Sequence, residues 1–150
     1  MKGGAIIAAS ACADAREATV ITGRRQEIFL HIIWSTWDRV PLVDPAIEAW
    51  LWPMLGEEAR SLGCPWAVVG GVADHVHVLC ALPTTLAVAP LVQQMKGASA
   101  RCASARGQPL KWQAGYGVFS VSPEAVPAVE AYVRSQPSHH EAATLTHDWE

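Results

Sequence analysis

Between Val72 and Leu82 the chain reads Val-Ala-Asp-His-Val-His-Val-Leu-Cys-Ala-Leu. Apolar positions alternate there with others that could be polar. Residues two apart on a strand project from one face, so the alternation predicts a strand with Val76 and Val78 on one side and His75 and His77 on the other. A face of valines must be covered. The strand therefore belongs to a sheet with helices packed against it.

Its neighbours complete that sheet. Glu27-Ile28-Phe29-Leu30-His31-Ile32-Ile33-Trp34 is β-branched and aromatic and reads as a buried strand. Asp44-Pro45 has the form of a helix N-cap followed by proline at the first helical position. Ile47, Leu51, Met54, Leu55, Ala59 and Leu62 follow at helical spacing, Gly63 closes the helix, and Pro53 inside it predicts a kink. Pro65 to Val69 reads as a strand, Gly70-Gly71 as a turn or bulge, and Leu86 to Cys102 as a helix with Leu91, Val92, Met95 and Ala98 inward. Gly115 to Val121 reads as a short strand. Ser122-Pro123 caps a last helix running to about Gln136, although Pro127 inside it would suit a later start. Strand, helix, strand, strand, helix, strand, helix is an α+β order, and it fits a ferredoxin-like antiparallel sheet with helices packed mainly on one face.

The chain has 150 residues, of which 51% are apolar and 17% charged. This excludes a disordered chain. No run approaches the roughly 20 apolar residues of a membrane-spanning helix. One domain over residues 24–150 is expected, preceded by a poorly ordered extension at 1–23. That extension only faintly resembles a signal peptide, since its apolar stretch is short and diluted by glycine. Cys12, Cys64, Cys80 and Cys102 form no C-x-x-C pair and read as reduced thiols of a cytoplasmic protein.

The net charge of −3 announces no general affinity for nucleic acid, but it hides an asymmetry. Residues 26–82 hold Arg39 and Arg60 against seven acidic side chains. From Pro83 to Pro123 there is no acidic residue, and Lys96, Arg101, Arg106 and Lys111 fall in that stretch. They would form either a phosphate-binding patch or simply a solvated helix face.

Two groups of residues could carry chemistry. His75 and His77 could converge on one divalent ion, or could be ordinary strand residues. Tyr132 and Gln136 share a helix face at i, i+4, as any tyrosine at a core edge might share one with a neighbour. Together they supply more. A phenol is a poor nucleophile at neutral pH, and a nearby cation favours the phenolate and polarises a phosphate. His139 and His140 read as surface or as further ligands. His31 reads as a satisfied strand histidine. Trp34, Trp37 and Trp112 read as core residues that could also stack on bases.

The segment Asp74-His75-Val76-His77-Val78-Leu79 resembles the histidine–hydrophobic–histidine (HUH) motif of the IS200/IS605-like single-tyrosine transposases. Leu30 to Thr36 resembles their first strand. Leu91 to Gly97 resembles the stretch after the motif, Trp112 to Ser120 the segment before their catalytic helix, and Tyr132 to Gln136 with His139-His140 that helix itself. The resemblance runs over about residues 25–140. It implies that Tyr132 attacks a scissile phosphate to form a 5′-phosphotyrosine, and that His75, His77 and Gln136 hold Mg²⁺ or Mn²⁺. The substrate it implies is single-stranded DNA with hairpins. It also implies a homodimer, located in the cytoplasm with the nucleoid. One rival is a catalytically idle relative that binds DNA or RNA hairpins. Another is a histidine-triad nucleotide hydrolase, disfavoured because Leu79 stands where a third alternating histidine would be.

Overall fold

The computed structural model describes residues 24–136 together with Val20–Ile21. Most of the 1–23 extension therefore lies outside the described residues, as do Cys12, His139 and His140. Two short strands, β1 (Val20–Ile21) and β2 (Arg24–Arg25), pair with each other. The main sheet has β3 (Phe29–Ser35), β4 (Ala67–Val72), β5 (His75–Ala81) and β6 (Gly117–Val121), in the order β4-β5-β3-β6 with every neighbouring pair antiparallel. Helix α1 (Pro45–Ser61) joins β3 to β4, and α2 (Val88–Ala105) joins β5 to β6. The last helix, α3 (Val126–Arg134), follows β6. This is the ferredoxin-like strand order, with β3 and β5 at the centre.

The two faces of the sheet bury different things. Leu30, Ile32, Trp34, Val76, Val78 and Cys80 pack against Ile47, Leu51 and Leu55 of α1 and Leu91 and Met95 of α2. On the other face Phe29, Val68 and Leu79 form a smaller core with Val126 and Val133 of α3. Two helices therefore cover one face, and the third covers part of the other.

The helix signals act where the sequence puts them. Asp44 accepts from the Ile47 N–H at 2.8 Å. Gly63 takes the left-handed conformation, with φ +100°, just beyond α1. The helix continues through Pro53.

Two local expectations are corrected. Helix α3 begins at Val126 rather than near Pro123, because residues 122–125 form a hydrogen-bonded turn, Ala125 N–H to Ser122 O at 2.9 Å. Pro127 thereby falls in the first helical turn, where no N–H is required. Gly70-Gly71 is no turn. Both lie within β4, opposite His77 and Val76 of β5, and the chain reverses at Ala73-Asp74 instead. The glycines are there because of close approach. A Cβ on Gly70 would meet the backbone oxygen of Val133 in α3, and one on Gly71 would meet the His75 carbonyl and the Trp52 ring.

Helix α3 can therefore rest on the sheet only because Gly70 carries no side chain. Gly70→Ala is expected to lift α3 and cost about 1–3 kcal/mol, the usual range for overpacking. Urea denaturation with fluorescence and far-ultraviolet circular dichroism checks this, and unchanged stability would contradict the close approach.

Candidate active site

The face of β5 that turns away from the valines carries His75 and His77, both buried. The adjacent β3 adds buried His31, whose register partner on β5 is Leu79. The rings form one cluster. His75 and His77 lie 5.0 Å apart between centroids, and His31 stacks on His77 at 5.1 Å with 20° between planes. Helix α3 lays half-buried Tyr132 edge-on over the cluster, 5.5 Å from His77 and 6.2 Å from His31. The fold thus joins the two residue groups that lie 55 or more positions apart in the chain.

Each of the two motif histidines makes an outer hydrogen bond through Nδ1. His75 Nδ1 is 2.6 Å from Asp74 Oδ1, and Asp74 Oδ2 accepts from Arg39 Nε at 3.1 Å. Burial opposes ionisation of Asp74, but its hydrogen bonds and charge attraction to His75 and Arg39 outweigh this and hold its carboxyl below the usual range. An ionised carboxylate can only accept, so His75 Nδ1 is the donor. His77 Nδ1 lies 2.9 Å from His31 Nε2. Burial pushes the His31 imidazole down to about 4, so it is neutral at pH 7 and able to accept or donate.

Gln136, one turn beyond Tyr132, is fully buried. Its Nε2 donates to the Tyr132 carbonyl at 3.2 Å. Its Oε1 is a buried acceptor with no hydrogen-bond partner among the described residues. A buried amide oxygen left in this state is costly unless something else fills its lone pairs. Among the described residues no group of three His, Cys, Asp or Glu side chains is arranged to hold a metal ion. Gln136 Oε1 is thus a candidate to supplement the histidines as a ligand. Two imidazoles and one neutral oxygen form a donor set that divalent ions accept.

The four cationic residues of the acid-free stretch are dispersed. Lys96 Nζ donates to the carbonyls of Gln113, Ala114 and Gly115 at 2.8, 3.3 and 2.7 Å, and desolvation lowers its pKa. Lys111 Nζ sits 3.8 Å above the exposed Trp37 ring. Arg106 folds over Trp50 of α1 at 5.1 Å, with the helical layer. Arg101 is exposed on α2. They form no continuous row.

His31, Asp74 and Arg39 were not assigned a role by sequence reasoning. His31 lies on the same face of β3 as Phe29 and Ile33, and nothing in one sequence shows which strand lies alongside. Arg39 reaches Asp74 from a turn where Asp38 and Arg39 both have positive φ, 51° and 55°. Non-glycine residues rarely adopt this conformation, and it gathers at functional sites.

Comparison with known proteins speaks to the family and the fold. The family model described as "Transposase IS200 like" matches residues 25–136. A solved structure from Deinococcus radiodurans R1, provisionally named a transposase, is 26% identical with a TM-score of 0.61, covering 76% of this chain and 94% of that one. A REP-associated tyrosine transposase bound to a REP hairpin is 13% identical with a TM-score of 0.60, covering 83% of this chain and 74% of that one. The second likeness speaks to the fold. No curated protein sequence matches the chain significantly.

The depressed basicity of His31 makes stability depend on pH. In the unfolded chain His31 titrates near 6.5, and in the folded protein at about 4. Between those values the unfolded state binds the extra proton, so stability falls as pH drops through this window and levels off below it. The loss attributable to His31 is of order 3 kcal/mol. Urea denaturation at pH 7 and pH 4.5 should show it, and His31→Gln should flatten the pH dependence by about that amount.

Proposed function

The chain belongs to the IS200-like transposase family, and from that premise we propose that it cleaves and rejoins single-stranded DNA at hairpin-bearing ends, with Tyr132 as nucleophile. The observation that carries the proposal is the placement of Tyr132 edge-on over His77, within a cluster that also contains His75. The hairpin carried by the REP-associated relative supports a hairpin partner here too.

In the proposed reaction the Tyr132 phenolic oxygen attacks the scissile phosphorus. A P–O bond to tyrosine forms and the P–O3′ bond breaks, so the DNA keeps its 5′ phosphate on the enzyme and a free 3′-OH departs with the proton. The reverse attack, by a 3′-OH of another strand, restores the phenol and joins the strands. One phosphodiester is exchanged for another, so no external energy source is needed.

His75, His77 and Gln136 would hold Mg²⁺ or Mn²⁺. The bound ion would polarise the phosphate and offset the charge that develops on it. For His77 to offer Nε2, its Nδ1–H must donate to His31 Nε2, and burial supports this by keeping His31 neutral. Asp74 orients His75 in the same way. Tyr132 and the histidines meet within one chain, so the chemistry we propose proceeds in cis. A homodimer would then serve to bring two DNA ends together.

Hairpin oligonucleotides with single-stranded flanks, taken from the DNA around the gene, should give a denaturation-resistant protein–DNA adduct with Mn²⁺ or Mg²⁺. Chelation should abolish the adduct. Tyr132→Phe should also abolish it while leaving hairpin affinity within about twofold, since only one hydroxyl is lost. Hairpin binding with no adduct from the unaltered protein would instead favour an idle hairpin-binding protein.

A further inference from the structure

A notch of about 210 Å³ opens beside His75, at the end of the sheet where β3 and β6 meet. Arg39, His75, Gln113, Tyr116 and Phe119 are among the residues that line it. Nothing in the proposed chemistry uses the last three.

Its far wall is the segment that leads into β6, and two devices hold that segment in place. The first is backbone pairing with the end of β3. Trp37 N–H donates to Lys111 O at 3.0 Å, Gln113 N–H donates to Ser35 O at 2.9 Å, and Thr36 bridges to Trp112. The second is Lys96. An ammonium has three N–H donors, and Lys96 spends them on three successive carbonyls, those of Gln113, Ala114 and Gly115. Three carbonyl oxygens aimed at one point repel one another unless a cation sits among them. Lys96 therefore sets the shape of the loop, and the loop places Tyr116 at the notch with 40% of its surface exposed.

The lining has the chemistry of one nucleotide. Tyr116 and Phe119 offer aromatic surface for the face of a base. Gln113 accepts from the Asp38 N–H through Oε1 at 3.3 Å, so what it could offer a base edge is its amide N–H donors. Arg39 uses Nε on Asp74 and is half exposed, which leaves the rest of its guanidinium to meet a phosphate. A stacked base pair could not enter a recess of this size with aromatic walls, whereas a single unstacked base could.

We propose that this notch receives one unpaired nucleotide next to the scissile phosphate, its base against Tyr116 and Phe119 and its phosphate toward Arg39, with Lys96 as the positioning residue that shapes the wall. The proposal rests on the transposase reading for its substrate, and it gives a structural reason for acting on single strands.

The test walks a 2-aminopurine, and separately an abasic site, through the single-stranded flank of the hairpin oligonucleotide. Fluorescence, affinity and adduct yield are recorded for each. The expected result is one position where the unaltered protein quenches 2-aminopurine and where an abasic site weakens binding roughly tenfold, the scale of one base–aromatic stack. Tyr116→Ala should lose the quenching and bind the abasic and intact strands alike, while Tyr116→Phe should restore both effects. Lys96→Met should weaken quenching at that position alone. A merely structural role for Tyr116 would lower affinity at every position equally, and that outcome overturns the proposal. An adduct that forms while no position responds to Tyr116→Ala also overturns the notch but leaves the transposase reading standing. Quenching with the expected mutant pattern but no adduct supports the notch and removes the reaction. Neither quenching nor adduct overturns both.

Discussion

The register between β3 and β5 decides everything that happens at the site. Because side chains alternate, a slip of one residue would put Val76 and Val78 where His75 and His77 now stand. What prevents it is the opposite face, where Val76, Val78 and Cys80 are fully buried beneath α1 and α2. Each large apolar side chain taken from water contributes about 1.5–3 kcal/mol, and a slip would forfeit several at once while burying imidazoles in an apolar core. The histidines are thus placed by the hydrophobic effect acting on their neighbours. Their own hydrogen bonds orient the rings but do not choose the face.

Buried imidazoles create a second constraint, since each must find polar partners. His75 finds Asp74, which in turn is held by half-exposed Arg39. His77 finds His31 on the neighbouring strand. The two chains of contact differ in kind. The first ends on a surface cation and keeps a negative charge behind His75, which raises its strength as a donor atom. The second runs to His31, which burial keeps neutral. One motif histidine is therefore backed by charge and the other by a neighbouring ring.

Much of this was legible in the sequence, and the boundary is physical. Periodicities of two and of 3.6 gave the element order, and Asp44 and Gly63 marked the ends of α1 because caps act over a few residues. What depends on a distant partner was misread or unread. Gly70-Gly71 looks like a turn to any local criterion, yet Gly70 answers to a backbone oxygen on α3 about 60 residues later, and Gly71 to the His75 carbonyl and the Trp52 ring. His31 looked bland because its meaning lies in the ring of His77, which becomes its neighbour only when the strands pair. The start of α3 was ambiguous because Ser122-Pro123 and Pro127 each satisfy the rule for a helix beginning, and only the structure shows the turn at 122–125 that separates them.

Lys96 carries the same lesson into electrostatics. As a sequence feature it belongs to a run without acidic residues and reads as one cation among four for phosphate. In the fold its donors are all taken, so it is not poised for direct hydrogen bonding. Carbonyls, however, supply dipoles and no net charge. An ammonium bonded to three of them keeps its full positive charge at the wall of the notch, whereas a carboxylate partner would cancel it. Among charged partners for this lysine, an acid would be the worst choice for a protein whose substrate is a polyanion. The absence of acidic residues from Pro83 to Pro123 then has a meaning that does not require surface contacts. No acidic residue of that stretch can neutralise half-buried Lys96, and its charge would favour a polyanion at the proposed notch. Lys96 thus holds the loop through its hydrogen bonds, a role hidden before the fold, while a service to phosphate through its charge stays part of the proposed function.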